Sequence, residues 1–212
     1  MCIRDRSKYT DGAYIFKSTD HFKTNFFIEL LNRHQIDVYA NEQNQNFDRR
    51  TYLPGESYIV PKQQKQAGLV KTLFETVHTF NDSIFYDVSA WTLPLAFNLD
   101  YSETTQELAL GKKITEALPF NLSKERYSKK PIAYAIDWQQ YNASRLLYAL
   151  QAKNIKSQVV LKEATISNEQ DKSEQLELGT VIITLGNQEQ SKEETMETVS
   201  YTHLTLPTKR IV

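Results

Sequence analysis

Short apolar runs of β character alternate along this chain with longer stretches in which apolar residues recur at helical spacing. After a first β run at 12–16, Phe22, Phe26, Phe27, Leu30 and Leu31 fall at i, i+4, i+5, i+8 and i+9, one face of a helix. Asp20 stands where an N-cap belongs, because its carboxylate can accept the free amides of the first turn. Ile36, Val38 and Ala40 then alternate with Asp37 and Tyr39, which predicts a strand. The polar stretch "NEQNQNFDRR" reads as an exposed loop and Pro54-Gly55 as a turn. Residues 57–60 read as a strand closed by Pro61, which cannot donate to a ladder. From 66 to 80, Leu69, Val70, Leu73, Phe74 and Val77 share one face of a second helix.

The stretch that follows Phe97 is polar and interrupted, and reads as a connector with at most short elements. Pattern returns at 131–136 with a strand, and Asn142 can cap a helix that carries Leu146, Leu147 and Leu150. Asn154 can end that helix in the left-handed conformation. Strands follow at 158–161 and, beyond a charged loop, at 179–185. Strands separated by helices of roughly ten to fifteen residues favour βαβ units. The expected fold is α/β, a mostly parallel sheet flanked by helices, flavodoxin-like or class I amidotransferase-like, and incomplete because the chain reads as a fragment. No internal repeat stands out. The expected division is a first α/β segment at 7–100, a connector at 101–130 and a βαβ segment at 131–198.

Both ends read as something other than native protein. Met1-Cys2-Ile3-Arg4-Asp5 back-translates as ATG TGT ATA AGA GAC, and Val199-Ser200-Tyr201-Thr202-His203-Leu204 as GTC TCT TAT ACA CAT CTG. These strings are reverse complements over almost their whole length, as expected of translated sequencing adapter, and Thr205-Leu206-Pro207-Thr208 continues it in frame. Residues 1–6 and 199–212 are accordingly set outside the expected fold. Without them the formal net charge moves from -1 to -4, through loss of Arg4, Arg6, Lys209, Arg210 and Asp5. A mildly acidic chain has no electrostatic footprint for nucleic acid. Cys2, the only cysteine, lies in the excluded part, which leaves no disulfide, thiolate metal site or cysteine nucleophile. No apolar run approaches the length of about 20 residues that spans a bilayer.

Few residues carry chemistry. His34-Gln35-Ile36-Asp37 has a metal-like spacing, but it straddles a helix-to-strand junction, where two ligands no longer converge. His34 and His78 both read as histidines at helix ends, favourable against the C-terminal dipole. The glycines form no phosphate loop, and Ser89 lacks the frame of a nucleophile elbow. In "DSIFYDVSAWTLPLAF" at 82–97, Ile84, Tyr86 and Val88 predict a strand, and Thr92 with Pro94 the start of a short helix. Asp87 and Trp91 then lie at the carboxyl edge of a sheet, where open α/β folds bind ligands, and Asp137 with Trp138 repeats the arrangement. Asp87, Trp91 and Asp137 are thus the candidate ligand-binding residues, set against a plainer role in which Asp87 satisfies turn amides and Trp91 fills core.

Three ordered segments, "GESYIVPKQQKQAGLVKTLFE", "DSIFYDVSAWTLPLAFNLDY" and "AYAIDWQQYNASRLLYALQAKNIKSQVV", resemble the region that follows the peptidase domain in large secreted zinc carboxypeptidase-like proteins of Bacteroidetes type. The resemblance covers most of 12–185. It implies a secreted or periplasmic parent whose zinc site, a His-x-x-Glu pair with a later His, lies upstream. The chain has none of these motifs, so it is expected to hold no cofactor and no catalytic residue, and to partner its own peptidase domain and, through it, a peptide substrate. The alternative is an independent binding module for a small molecule or glycan.

Overall fold

The computed structural model describes residues 11–76, 92–116, 118, 131–167, 173–196 and 209–211. The chain divides into two compact units, 1–120 and 121–212.

The first unit runs β1 (Ala13–Lys17), α1 (His21–Arg33), β2 (Tyr39–Asn41), β3 (Gln45–Phe47), β4 (Arg50–Tyr52), β5 (Ser57–Pro61), α2 (Ala67–Phe74), α3 (Leu93–Ala96), β6 (Asp100–Thr104) and β7 (Leu110–Lys113). Five strands form one sheet in the order β6-β1-β5-β2-β7, and every pairing in it is antiparallel. The expected parallel sheet is therefore wrong: among the described residues all ladders are antiparallel. The reason lies in the crossovers. β1 and β2 point the same way and α1 joins them, as a βαβ reading requires, but β5 lies between them. β5 and β6 likewise flank β1. This is the split β-α-β arrangement of ferredoxin-like folds, with spatial order fourth, first, third, second.

Local chemistry explains the elements. Asp20 caps α1, its Oδ1 accepting the Phe22 N–H at 2.9 Å and the Lys23 N–H at 3.2 Å. The buried face of α1 is Thr24, Phe27, Ile28 and Leu31, while Phe26 is 42% exposed, so the helix is rotated from the expected face. Phe27 packs edge-on against Phe16 with centroids 4.9 Å apart, and also meets Phe74 and Phe97. Val70 and Phe74 of α2 complete this layer with Tyr14, Phe16, Tyr58 and Val60 of the sheet.

The polar stretch expected to be a loop is a hairpin. β3 and β4 pair through Phe47↔Arg50, and Asp48 and Arg49 both have positive φ, 49° and 62°, the geometry of a two-residue turn whose twist matches the strands. Its Phe47 and Tyr52 lie on the other side of the sheet, against Ala13, Ile15 and Ile59. Both faces are thus covered, which is why β1 and β5 are buried along nearly their whole length. The connector read at 101–130 supplies two edge strands, β7 and most of β6.

The second unit runs β8 (Ala133–Ile136), α4 (Ala143–Gln151), β9 (Gln158–Val159), β10 (Ala164–Ser167), β11 (Ser173–Leu176), β12 (Val181–Thr184), one helical turn at 192–196 and β13 (Lys209–Ile211). Its sheet order is β13-β8-β12-β9, again antiparallel throughout, and β10–β11 form a separate hairpin. Ala143, Leu146 and Leu150 of α4 pack on Tyr134, Ile136, Val181 and Ile183. Asn154 ends the helix segment at φ 56°, as its residue type predicts. β13 falls within the tail set aside as adapter, and it pairs with β8 through Lys209↔Ala135 and Ile211↔Ala133.

Candidate functional site

Asp137 directly follows β8. Its Oδ1 accepts the Gln139 N–H at 2.8 Å, its Oδ2 accepts from Gln140 Nε2 at 3.5 Å, and its carbonyl accepts the Gln140 N–H at 3.2 Å. The carboxylate is thus engaged in its own turn, a use that short acidic side chains favour. Trp138 beside it is half exposed, and Gln139 Nε2 reaches Glu177 Oε2 at 2.7 Å. Asp87 and Trp91 lie outside the described residues, as do the strand expected around Ile84, Tyr86 and Val88 and the histidine His78. A shared edge for Asp87, Trp91 and Asp137 requires a parallel sheet, whose strand ends collect on one side. In an antiparallel sheet successive ends point opposite ways, so the described sheets provide no such edge. Thr92 does precede α3, but its Oγ1 donates to the Glu75 carbonyl at 2.8 Å rather than capping the helix.

The first unit buries a charged group that no local pattern in the sequence marks. Lys62, the residue after β5, has a side chain only 7% exposed; its ammonium sits 2.7 Å from Glu103 Oε1 and 5.3 Å from the centroid of the Tyr14 ring. The cation–π contact and the ion pair together offset removal of the charge from water. Burial, with Glu103 and Glu75 adding to it, pushes the Tyr14 phenol well above its ordinary range. Nearby, Thr76 Oγ1 and Tyr101 Oη are 2.6 Å apart. The ensemble holds a neutral phenol beside a paired ammonium. No local motif could have revealed it, since Tyr14, Lys62 and Glu103 come from three strands or strand ends far apart in the chain.

Tyr52 and Tyr58 are also shifted upward, both by burial; the Tyr52 hydroxyl is 2.8 Å from Ser102 Oγ. A group whose folded pKa is raised contributes stability that is complete below its unfolded pKa and lost as pH rises through the folded one. Three such phenols make the first unit weaken above about pH 10, the ordinary tyrosine value. Denaturation midpoints measured from pH 8 upward, beside an absorbance titration of the phenolates, are expected to fall over that window, and Tyr14→Phe is expected to reduce the fall. Midpoints independent of pH up to complete phenolate formation would contradict the burial of these hydroxyls.

A shallow groove of about 490 Å³ runs along the outer side of α1, lined by Phe22, Asn25, Phe26, Asn32, Arg33 and Glu116 among others. Asn25 closes one part of it, accepting the Leu118 N–H at 2.8 Å and donating to its carbonyl at 3.4 Å. Among the described residues no group of three or more His, Cys, Asp or Glu side chains is placed to hold a metal ion. His21 and His34 are both exposed and stand at opposite ends of α1, roughly 20 Å apart at the helical rise, so they cannot share a zinc ion. The described residues thus offer no ligand set for the zinc ion that the resemblance implies for the parent. Among the described residues no helix is long and apolar enough to cross a membrane.

Compared with family models, with curated proteins and with solved structures, the chain has no match.

Proposed function

We propose that this chain is a non-catalytic accessory region of a secreted zinc metallocarboxypeptidase-like protein, with the zinc site carried upstream of it. The resemblance of three ordered segments to the region after the peptidase domain motivates the reading. The observation that carries it in the structure is the engagement of the Asp137 carboxylate with the amides of its own turn. Lys62 with Glu103 and Asp37 with Lys113 are likewise paired charges. These side chains find their partners within the fold, as expected of a scaffold, the exposed Asp37–Lys113 pair contributing least. The flavodoxin-like and class I amidotransferase-like forms of the binding-module alternative are dropped together with their parallel sheet.

The chain incubated with zinc and freed of excess metal is expected to retain less than one ion per chain and to release no C-terminal residue from test peptides. One tightly held zinc per chain, with hydrolysis abolished by a chelator, would overturn the proposal. Reading the genomic frame through both ends supplies the other arm. It is expected to uncover an upstream His-x-x-Glu followed by a later His, and a complete frame without them would also overturn it.

A further inference from the structure

We infer that the chain is two copies of one three-layer module in tandem, each locked at the same place by a glutamine side chain. Topology alone is a weak argument, because the split β-α-β plan recurs in unrelated proteins. The correspondence goes further than topology. Each unit reads strand, helix, strand, inserted hairpin and strand, with the third strand lying between the first and the second. In each, the first strand opens Ala-Tyr, as Ala13-Tyr14 and Ala133-Tyr134.

The layers correspond residue by residue. Tyr14, Phe16, Tyr58 and Val60 face the helices in the first unit, as Tyr134, Ile136, Val181 and Ile183 do in the second. On the opposite face Ala13, Ile15 and Ile59 cluster with Phe47 and Tyr52 of the inserted hairpin. There Ala133, Ala135 and Ile182 cluster with Ile166 and Leu176 of the other hairpin. Ladder register supports the pairing, since Tyr14↔Val60 and Ile15↔Ile59 match Tyr134↔Ile183 and Ala135↔Ile182.

The backbone bonds repeat as well. The first helix of each unit is followed by a residue of positive φ, Gln35 at 59° and Asn154 at 56°. A buried isoleucine comes next, and Ile36 N–H donates to the Leu31 carbonyl at 3.0 Å as Ile155 N–H does to that of Leu150. Lys62 N–H reaches the Gly12 carbonyl at 3.0 Å, and Leu185 N–H reaches that of Ile132 at 2.9 Å.

Helix exits of this kind are common, occurring in about a third to a half of helices. The glutamine is not a generic feature. Gln64 Oε1 accepts the Asp37 N–H at 2.6 Å, and its Nε2 donates to the Pro61 carbonyl at 2.7 Å and to that of Asp37 at 3.4 Å. Gln188 Oε1 accepts the Lys156 N–H at 2.7 Å, and its Nε2 donates to the carbonyls of Thr184 at 2.8 Å and Lys156 at 2.9 Å. Asp37 and Lys156 each follow the buried isoleucine, and Pro61 and Thr184 each end the third strand. One amide side chain therefore ties the end of the third strand to the start of the second in both units. Only a side chain with both a donor and an acceptor at one end does this. Lys62 corresponds to the apolar Leu185, so the buried ammonium belongs to the first copy alone.

Amide hydrogen exchange of the full chain tests the inference. Gln64→Ala is expected to speed exchange at Asp37 by about tenfold, through loss of the acceptor of its part-buried amide hydrogen bond, and to leave Lys156 unchanged. Gln188→Ala is expected to do the reverse. Gln64→Glu keeps the acceptor for Asp37 and loses the donors, so it gives an intermediate rate and covers the case in which the alanine variant unfolds. The deciding variant replaces Gln63–Gln64 with the sequence of Gly186–Gln188, which keeps the buried Lys62, and equivalent modules predict slow exchange at Asp37 as in the parent chain. A transplant that exchanges as fast as Gln64→Ala, or alanine variants that exchange like the parent chain, would overturn the inference.

Discussion

Phe27→Ala is expected to destabilise the first unit by about 3–5 kcal/mol, the cost of removing a buried aromatic and leaving a cavity among neighbours that relax only in part. Phe27 is fully buried and meets the rings of Phe16, Phe74 and Phe97, from β1, α2 and the end of α3. The truncation thus loosens the sheet and both helical segments together. Phe26→Ala next to it is expected to stay within about 1 kcal/mol, because a partly exposed side chain leaves no closed cavity. A chain of two compact units has no single unfolding free energy, so the comparison belongs to the exchange of first-unit amides under denaturant. Equal effects at the two positions would show that α1 is not rotated as described.

Gly12→Ala is expected to be as damaging, for a different reason. A Cβ on Gly12 would lie 2.0 Å from the Thr104 carbonyl oxygen and 2.7 Å from the Thr105 Cα, both backbone, so neither can swing away. The residue also has φ 112°. Overpacking costs about 1–3 kcal/mol and a disfavoured φ about 1–3 kcal/mol, and relief of the clash must come from parting β1 and β6 at Ala13↔Thr104. Gly55→Ala is the control, since Gly55 has φ 78° with no atom near its missing Cβ, and it bears the φ cost alone. A Gly12→Ala variant no less stable than Gly55→Ala would refute the close approach.

Local features were legible in the sequence wherever a residue acts on its immediate neighbours. The Asp20 cap, the turn at Gly55 with its positive φ and the left-handed Asn154 all follow from side chains that serve amides or conformations within a few residues. Spacing also located α1 to α4 and six of the thirteen described strands, β1, β2, β5, β8, β9 and β12, while the more polar strands fell in stretches read as loop, connector or tail. It placed the buried face of α1 imperfectly, because Phe26 and Phe27 are equally apolar in sequence and only the sheet beneath decides which is covered. Tyr14, Lys62 and Glu103 were out of reach as a group, since nothing in a short window announces that three distant residues meet.

What the sequence determined by itself is the helices and the more apolar strands, with the cap at Asp20, since those depend on propensity and periodicity within one turn or strand; Asn142 and Thr92, which could also cap, make no capping bond. What the tertiary structure decided is which strands are neighbours. A helix between two strands specifies that they run the same way, and it leaves open whether a third strand lies between them. Here β5 lies between β1 and β2, and β12 between β8 and β9, so strands of one direction are interleaved with strands of the other. The same long-range choice turned the polar stretch at 41–50 into a hairpin that covers the second face of the sheet. It also brought Gln64 to Asp37 and Gln188 to Lys156, because a backbone amide finds its partner by position in the folded sheet and not by distance along the chain.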